Sequence, residues 1–184
     1  MRRLFLCLLA TSTLFACAPR QKSYRPATYD SVAQSELIAA SYRAADTLVS
    51  QAGESLSPQH PLIIATLVNI NALEESSPLG RLVSEQLGAR LAQRGYKVVE
   101  LKIRQNLYMK RHEGELMLTR EIRDIAQRHD AQAVVIGTYT EGADRVFINL
   151  KLTQIESNIA LAAVDYALPL DMNIRVLLYR SAAR

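Results

Sequence analysis

The chain has 184 residues, 49% of them hydrophobic and 22% charged, with two cysteines, no tryptophan and a formal net charge of +4. That length suits one domain of ordinary size, with a core large enough to need no disulfide staples. Two of the 22 basic residues, Arg2 and Arg3, stand at the very start, and without them the balance is 20 against 18 acidic residues; no zinc-finger or stacking-aromatic signature accompanies that weak excess, which sets nucleic acid aside as a partner.

Met1-Arg2-Arg3 is followed by an apolar stretch from Leu4 to Ala10, diluted by Thr11, Ser12 and Thr13 before Leu14 and Phe15. This is the layout of a secretory leader, and it falls short of the roughly 20 apolar residues a membrane-spanning helix requires. Leu14-Phe15-Ala16-Cys17 resembles the bacterial lipobox, in which the cysteine becomes the first residue of the mature protein and carries acyl chains. The expected organisation is a lipoprotein signal peptide over 1–16, a lipidated tether over 17–30 and a folded domain over 31–184. An ordinary secretion signal with a coincidental cysteine is the alternative. With two or more acyl chains on Cys17, the anchor is durable. Ala18, in place of an aspartate, fits sorting to the outer membrane, with the domain in the periplasm. Cys7 lies in the leader and Cys17 is taken by lipid, so the mature domain has no free thiol or disulfide.

Ala18 to Tyr29 holds Pro19, Pro26, Arg20, Lys22 and Arg25 and has no apolar period, as expected of a tether. Asp30 or Ser31 is expected to cap a helix with Leu37, Ala40 or Ser41, Ala44 and Leu48 on one face, ending at Gly53. The continuous apolar run Leu62 to Val68 predicts a strand buried on both faces. Ser77 as cap, Pro78 at the first helical position and Gly95 past the end frame a helix that carries Leu79, Leu82, Val83, Leu87 and Leu91. Gly80 and Gly88 each cost such a helix roughly 1 kcal/mol, so close approach to a sheet is their expected use. Tyr96 to Lys102 reads as a strand, and Thr119 caps a helix with Ile122, Ile125 and Ala126 inward and Arg128 and His129 at its negative end. The last third changes period. Ala133 to Thr140, Arg145 to Thr153 and Ile159 to Leu168 form a three-stranded antiparallel meander, and Asn173 is placed to cap a short terminal helix. The order predicts an α/β (α+β) fold, a mixed sheet of about five strands covered by helices.

Chemistry does not assemble from these residues. Ser76 to Arg81 lacks the Gly-Lys-Ser/Thr ending of a phosphate loop. His112-Glu113 lacks a second histidine four residues on, where Leu116 stands, so no metal site is expected. Ser76, Ser77 and Thr138 lie in no nucleophile turn. No cofactor is expected either. The segment Tyr108 to His112 joins basic to apolar side chains, and Tyr108, Lys110, Arg111 and His112 are the candidate partner-binding residues, with an exposed sheet edge as the alternative binding surface. A loop folded back on its own core is the other reading of that segment.

From Leu62 to Ile174 the chain resembles the FlgO family of flagellar outer-membrane proteins. The resemblance is carried by Ser77-Pro78-Leu79-Gly80-Arg81, Arg94-Gly95-Tyr96, Asn106-Leu107-Tyr108, Gly114-Glu115-Leu116-Met117-Leu118, Gly137-Thr138-Tyr139 and Asp165-Tyr166-Ala167-Leu168-Pro169-Leu170-Asp171. It implies a fold similar to the amino-terminal domain of TolB, no catalysis, and a lipid-anchored protein that assembles with envelope or flagellar proteins. The family pattern puts a glycine in the turn at Glu156 to Asn158, where this chain has none. A lipoprotein activator or regulator of a periplasmic cell-wall enzyme is the alternative function. Oligomeric state is left open.

Overall fold

The computed structural model describes residues 36–101 and 120–179, and within them six strands share one mixed sheet. In chain order the elements are α1 (Glu36–Ala52), β1 (Leu62–Ala65), β2 (Val68–Asn69), α2 (Pro78–Gln93), β3 (Val98–Leu101), α3 (Arg120–His129), β4 (Ala133–Glu141), β5 (Arg145–Gln154), β6 (Ala160–Pro169) and α4 (Met172–Tyr179). The strand order is β3-β1-β4-β5-β6, with β2 also paired to β4. β1 lies parallel to both β3 and β4, while β4, β5 and β6 form the expected antiparallel meander.

The run Leu62 to Val68 is two strands where one was expected. After Ala65 the backbone leaves the β1 ladder because side chains claim its polar groups. The single Ser84 Oγ proton is shared between the Ala65 carbonyl at 3.1 Å and the Gly80 carbonyl at 2.9 Å, the Leu67 N–H donates to Ser84 Oγ at 3.0 Å, and Ser76 Oγ donates to the Leu67 carbonyl at 2.7 Å. A chain whose buried donors and acceptors are met this way can step sideways at no net loss of hydrogen bonds.

Two clusters of apolar side chains hold the layers together. On one face Leu37, Ala44 and Leu48 of α1 and Leu79, Val83, Leu87 and Leu91 of α2 pack on Ile64, Val135, Ile148 and Leu150. On the other, Ile122 and Ala126 of α3 meet Ile63, Ala65, Val134 and Ile136. β1 and β4 are therefore buried on both faces, whereas β5 alternates between buried and outward residues along nearly its whole length.

The frame of α2 is as its sequence predicts. Ser77 Oγ accepts from the Gly80 N–H, Pro78 opens the helix, and Gly95 follows it at φ +90°. Gly53, at φ +49°, likewise lies just past α1. The terminal helix differs in its start: Asp171 Oδ1, not Asn173, accepts from the Ile174 N–H at 2.8 Å, because the helix begins at Met172 and leaves Asn173 inside its first turn. At the β5–β6 turn Asn158 takes the left-handed conformation at φ 56°, a role asparagine tolerates better than most residues. The caps expected at Asp30 or Ser31 and at Thr119 lie outside the described residues.

α1 and α2 are also joined at the surface. Asp46 accepts from Arg94 Nε at 2.7 Å and from Arg90 Nε and Nη2 at 2.9 and 2.8 Å, and the Arg90 guanidinium lies over the Tyr42 ring, 5.4 Å from its centroid. Hydrogen bonds from Arg94 and then Arg90 hold the Asp46 carboxyl well below the usual carboxylate range, and the carboxylate raises both arginines in return. A group so depressed stabilises the fold above the ordinary carboxylate pKa and loses that contribution as pH falls.

Replacement of Asp46 by asparagine is expected to cost on the order of 1 kcal/mol at neutral pH. In denaturation curves taken across pH, the gap between the two proteins is full above about 4 and narrows below it. The two helical glycines separate more sharply. A Cβ at Gly80 would stand 2.5 Å from the Leu67 carbonyl oxygen and 2.9 Å from Tyr139 Cε1, whereas at Gly88 the nearest atom is the mobile Glu100 Oε1 at 3.2 Å. Gly80→Ala is expected to destabilise by roughly 1–3 kcal/mol and Gly88→Ala to stabilise by up to about 1 kcal/mol, so thermal melts should place them on opposite sides of the parent protein.

Candidate interaction surface

The strand order brings β1 between β3 and β4, and the helices that follow β1 and β3 cover opposite faces. In sheets wound this way, small ligands bind in the crevice at the carboxyl ends of the parallel strands, against a helix amino terminus. Here that helix is α2, and its first turn is engaged by the protein itself. The Ser77 N–H donates to the Tyr139 hydroxyl at 2.8 Å, the Gly80 N–H donates to Ser77 Oγ, and the Tyr139 ring packs against Gly80. Tyr139 thus stands where a phosphate would accept, and nearby the Leu67 side chain packs closely against Gly137.

The hydroxyls and histidines named in the sequence take structural positions. Ser76 and Ser77 tie the β2–α2 connection, and Thr138 is buried in β4. His60 Nδ1 pairs with Asp130 Oδ2 at 2.9 Å on the surface, at the end of the sheet opposite the crevice, where Gln132 also ties Ser57 and His60. His129 closes α3. Among the described residues no group of three or more histidine, cysteine, aspartate or glutamate side chains is placed to hold a metal ion. Cys17 and the partner-binding candidates Tyr108, Lys110, Arg111 and His112 lie outside the described residues, as does Glu113.

What the described residues offer is surface. The free edge of β6 is blunted at its middle, where Gln51 Oε1 accepts from the Ala163 N–H at 3.1 Å, and Pro169 removes a donor from its end. Such devices keep an edge from pairing with another strand. The sheet face away from α1 and α2 is more open over the meander: the cluster under α3 includes no residue of β6. Arg145, Phe147, Lys151, Ala163 and Asp165 are exposed there, and Asn149 Nδ2 donates to Asp165 Oδ1 at 2.7 Å across the strands. Beneath α1, burial pushes the Tyr166 phenol up to about 12, so it stays neutral and structural.

Comparisons with known proteins agree with this architecture. The profile of a family described as FlgO protein matches residues 42–173. Among solved structures, the chain is similar to the LpoB C-terminal domain from Salmonella enterica, with 13% identity, a TM-score of 0.51 and coverage of 73% of this chain and 98% of that one. The LpoB C-terminal domain from Escherichia coli gives the same four values. At that identity the likeness is one of fold. No curated protein sequence matches the chain.

Removal of the Tyr139 hydroxyl tests the tie between β4 and the α2 amino terminus. Tyr139→Phe leaves the buried Ser77 N–H without its acceptor and is expected to cost about 1–3 kcal/mol, read by chemical denaturation, with faster amide exchange in the first turn of α2.

Proposed function

The chain belongs to the FlgO protein family, and from that membership we propose that it is a noncatalytic lipid-anchored protein of the outer membrane. Its domain stands in the periplasm and serves as an assembly or structural factor of the envelope, associated with the flagellum. Cys17 is the lipidation site, residues 17–30 the tether, and the remainder the folded domain. Among the described residues no helix is long and apolar enough to cross a membrane. The acyl chains on Cys17 supply the attachment in this reading.

The observation that carries the noncatalytic part is the use of the α2 amino terminus. Two donors there, the Ser77 and Gly80 N–H groups, are spent on Tyr139 and Ser77, at the place where this class of sheet otherwise holds a substrate. Function then rests on contacts with other proteins, through the Tyr108 to His112 segment and the open face of the meander.

Cys17→Ser is expected to move the protein from the outer-membrane fraction to the soluble periplasm, as read by fractionation and by loss of acyl mass from the amino-terminal peptide. A photocrosslinker at Tyr108 in living cells is expected to capture flagellar components of the envelope. Capture of wall synthases instead would replace this reading with that of a cell-wall enzyme regulator. A deletion that leaves flagellar number, motility and envelope integrity unchanged would remove the structural role altogether.

A further inference from the structure

The exposed apolar side chains are gathered at one end of the domain. Among the described residues, the large exposed hydrophobics are Ile70, Phe147, Ile159, Met172, Val176 and Tyr179, and all but Ile159 stand where β4 runs out. The Ile70 N–H donates to the Tyr139 carbonyl. Phe147 faces Thr140 across the β4–β5 ladder and packs against Gly142. The other three lie on α4 at positions i, i+4 and i+7, one face of the helix. α4 is fastened to the same β4–β5 turn: the Leu170 N–H donates to the Asp144 carbonyl at 2.8 Å, and both the Tyr179 hydroxyl and Arg175 engage Glu141.

α4 already commits Ile174, Leu177 and Leu178 to the core. Its outer face, with Met172 79% and Tyr179 64% exposed, makes it apolar on two sides. A helix of that kind is ordinarily covered.

The amino-terminal segment enters at this same end. Gln51, near the finish of α1, lies beside Ala163, and Ser41, ten residues earlier, lies beside Tyr166. α1 therefore runs antiparallel to β6, with its start toward Leu168. β6 runs in the direction of β4, since each is antiparallel to β5, so Glu36 stands at the end that carries the five apolar residues. Eighteen residues separate Glu36 from Cys17, a reach of at most about 65 Å. The chain thus leaves for its anchor from the apolar end.

We propose that this end of the domain rests on the lipid bilayer, with Met172, Val176 and Tyr179 of α4, flanked by Ile70 and Phe147, entering the headgroup boundary. The contact rests on the reading of Cys17 as the lipidated residue, which holds the domain beside a membrane and makes a shallow apolar insertion an intramolecular event. Headgroup charge does not drive it: among the described residues of α4 and the β4–β5 turn, with the flanking Asp171, the acidic Glu141, Asp144 and Asp171 outnumber Arg145 and Arg175. Zwitterionic lipid therefore suffices, and added salt leaves the contact in place.

The absence of tryptophan supplies the test. The mature chain, begun at Cys17 and coupled through that thiol to a maleimide lipid in phosphatidylcholine and phosphatidylethanolamine vesicles, receives one tryptophan at a time. Met172→Trp and Val176→Trp are expected to show a blue-shifted emission on coupling and quenching by brominated acyl chains, and Ile159→Trp at the opposite end is expected to show neither. Equal emission and equal quenching at all three positions would overturn the contact while leaving the anchor reading intact. A blue shift at Met172→Trp that follows protein concentration without lipid would also overturn it, and would assign the α4 face to a second copy of the chain. An unacylated Cys17 in protein isolated from cells would remove the anchor reading, and the proposal with it, whatever the vesicles show.

Discussion

The domain depends on how the backbone leaves β1. Ser84 and Ser76 accept and donate at Ala65 and Leu67, Gly80 lets α2 approach the Leu67 carbonyl, and Tyr139 reaches over from β4 to take the Ser77 N–H. These contacts fasten the helix that follows β1 to the strand at the centre of the sheet. Leu79, Val83, Leu87 and Leu91 are thereby held over β1, β4 and β5. The cost of burying those polar groups is offset because each named donor and acceptor at the crossing finds a partner.

The same constraint shapes function. A doubly wound sheet opens a crevice at the carboxyl ends of its strands, and on the α2 side of it Tyr139 and Ser77 take the Ser77 and Gly80 N–H groups. The first turn of α2 is thereby a structural joint, and the proposed recognition falls to surfaces that the described helices leave uncovered. Those surfaces are unequal. The β6 edge carries Gln51 and Pro169 against strand addition, the meander face is mostly polar apart from Phe147 at its end, and the large exposed apolar residues other than Ile159 collect near α4 and the β4–β5 turn.

Much of this was legible where local chemistry decides structure. Ser77, Pro78 and Gly95 bound α2 because a cap, a missing donor and a left-handed residue act within one or two turns of their own position. The alternation of β5 is plain because period two survives wherever one face meets water. Other features were hidden because their causes lie far along the chain. Nothing near Ala65 signals that its strand stops there; the signal is Ser84, nineteen residues on. Gly80 and Gly88 look alike in a helical stripe, yet only Gly80 meets a backbone carbonyl too close for a methyl group. Asn173 and Asp171 are both competent caps, and the choice between them follows from where Leu170 is pinned to the Asp144 carbonyl.

By itself the sequence determined the described element types, the antiparallel meander and the family resemblance, and it carries a lipobox-like run around Cys17, since each is written in short-range spacing, turn residues or ordered motif blocks. Only the tertiary structure decided that the α2 amino terminus is tied to Tyr139, that the edge strand is guarded by a helix side chain, and that the exposed apolar residues share an end with the start of α1. Those are relations between Tyr139 and Ser77, Gln51 and Ala163, or Glu141 and Tyr179, and such pairs meet only when the sheet order brings distant segments together.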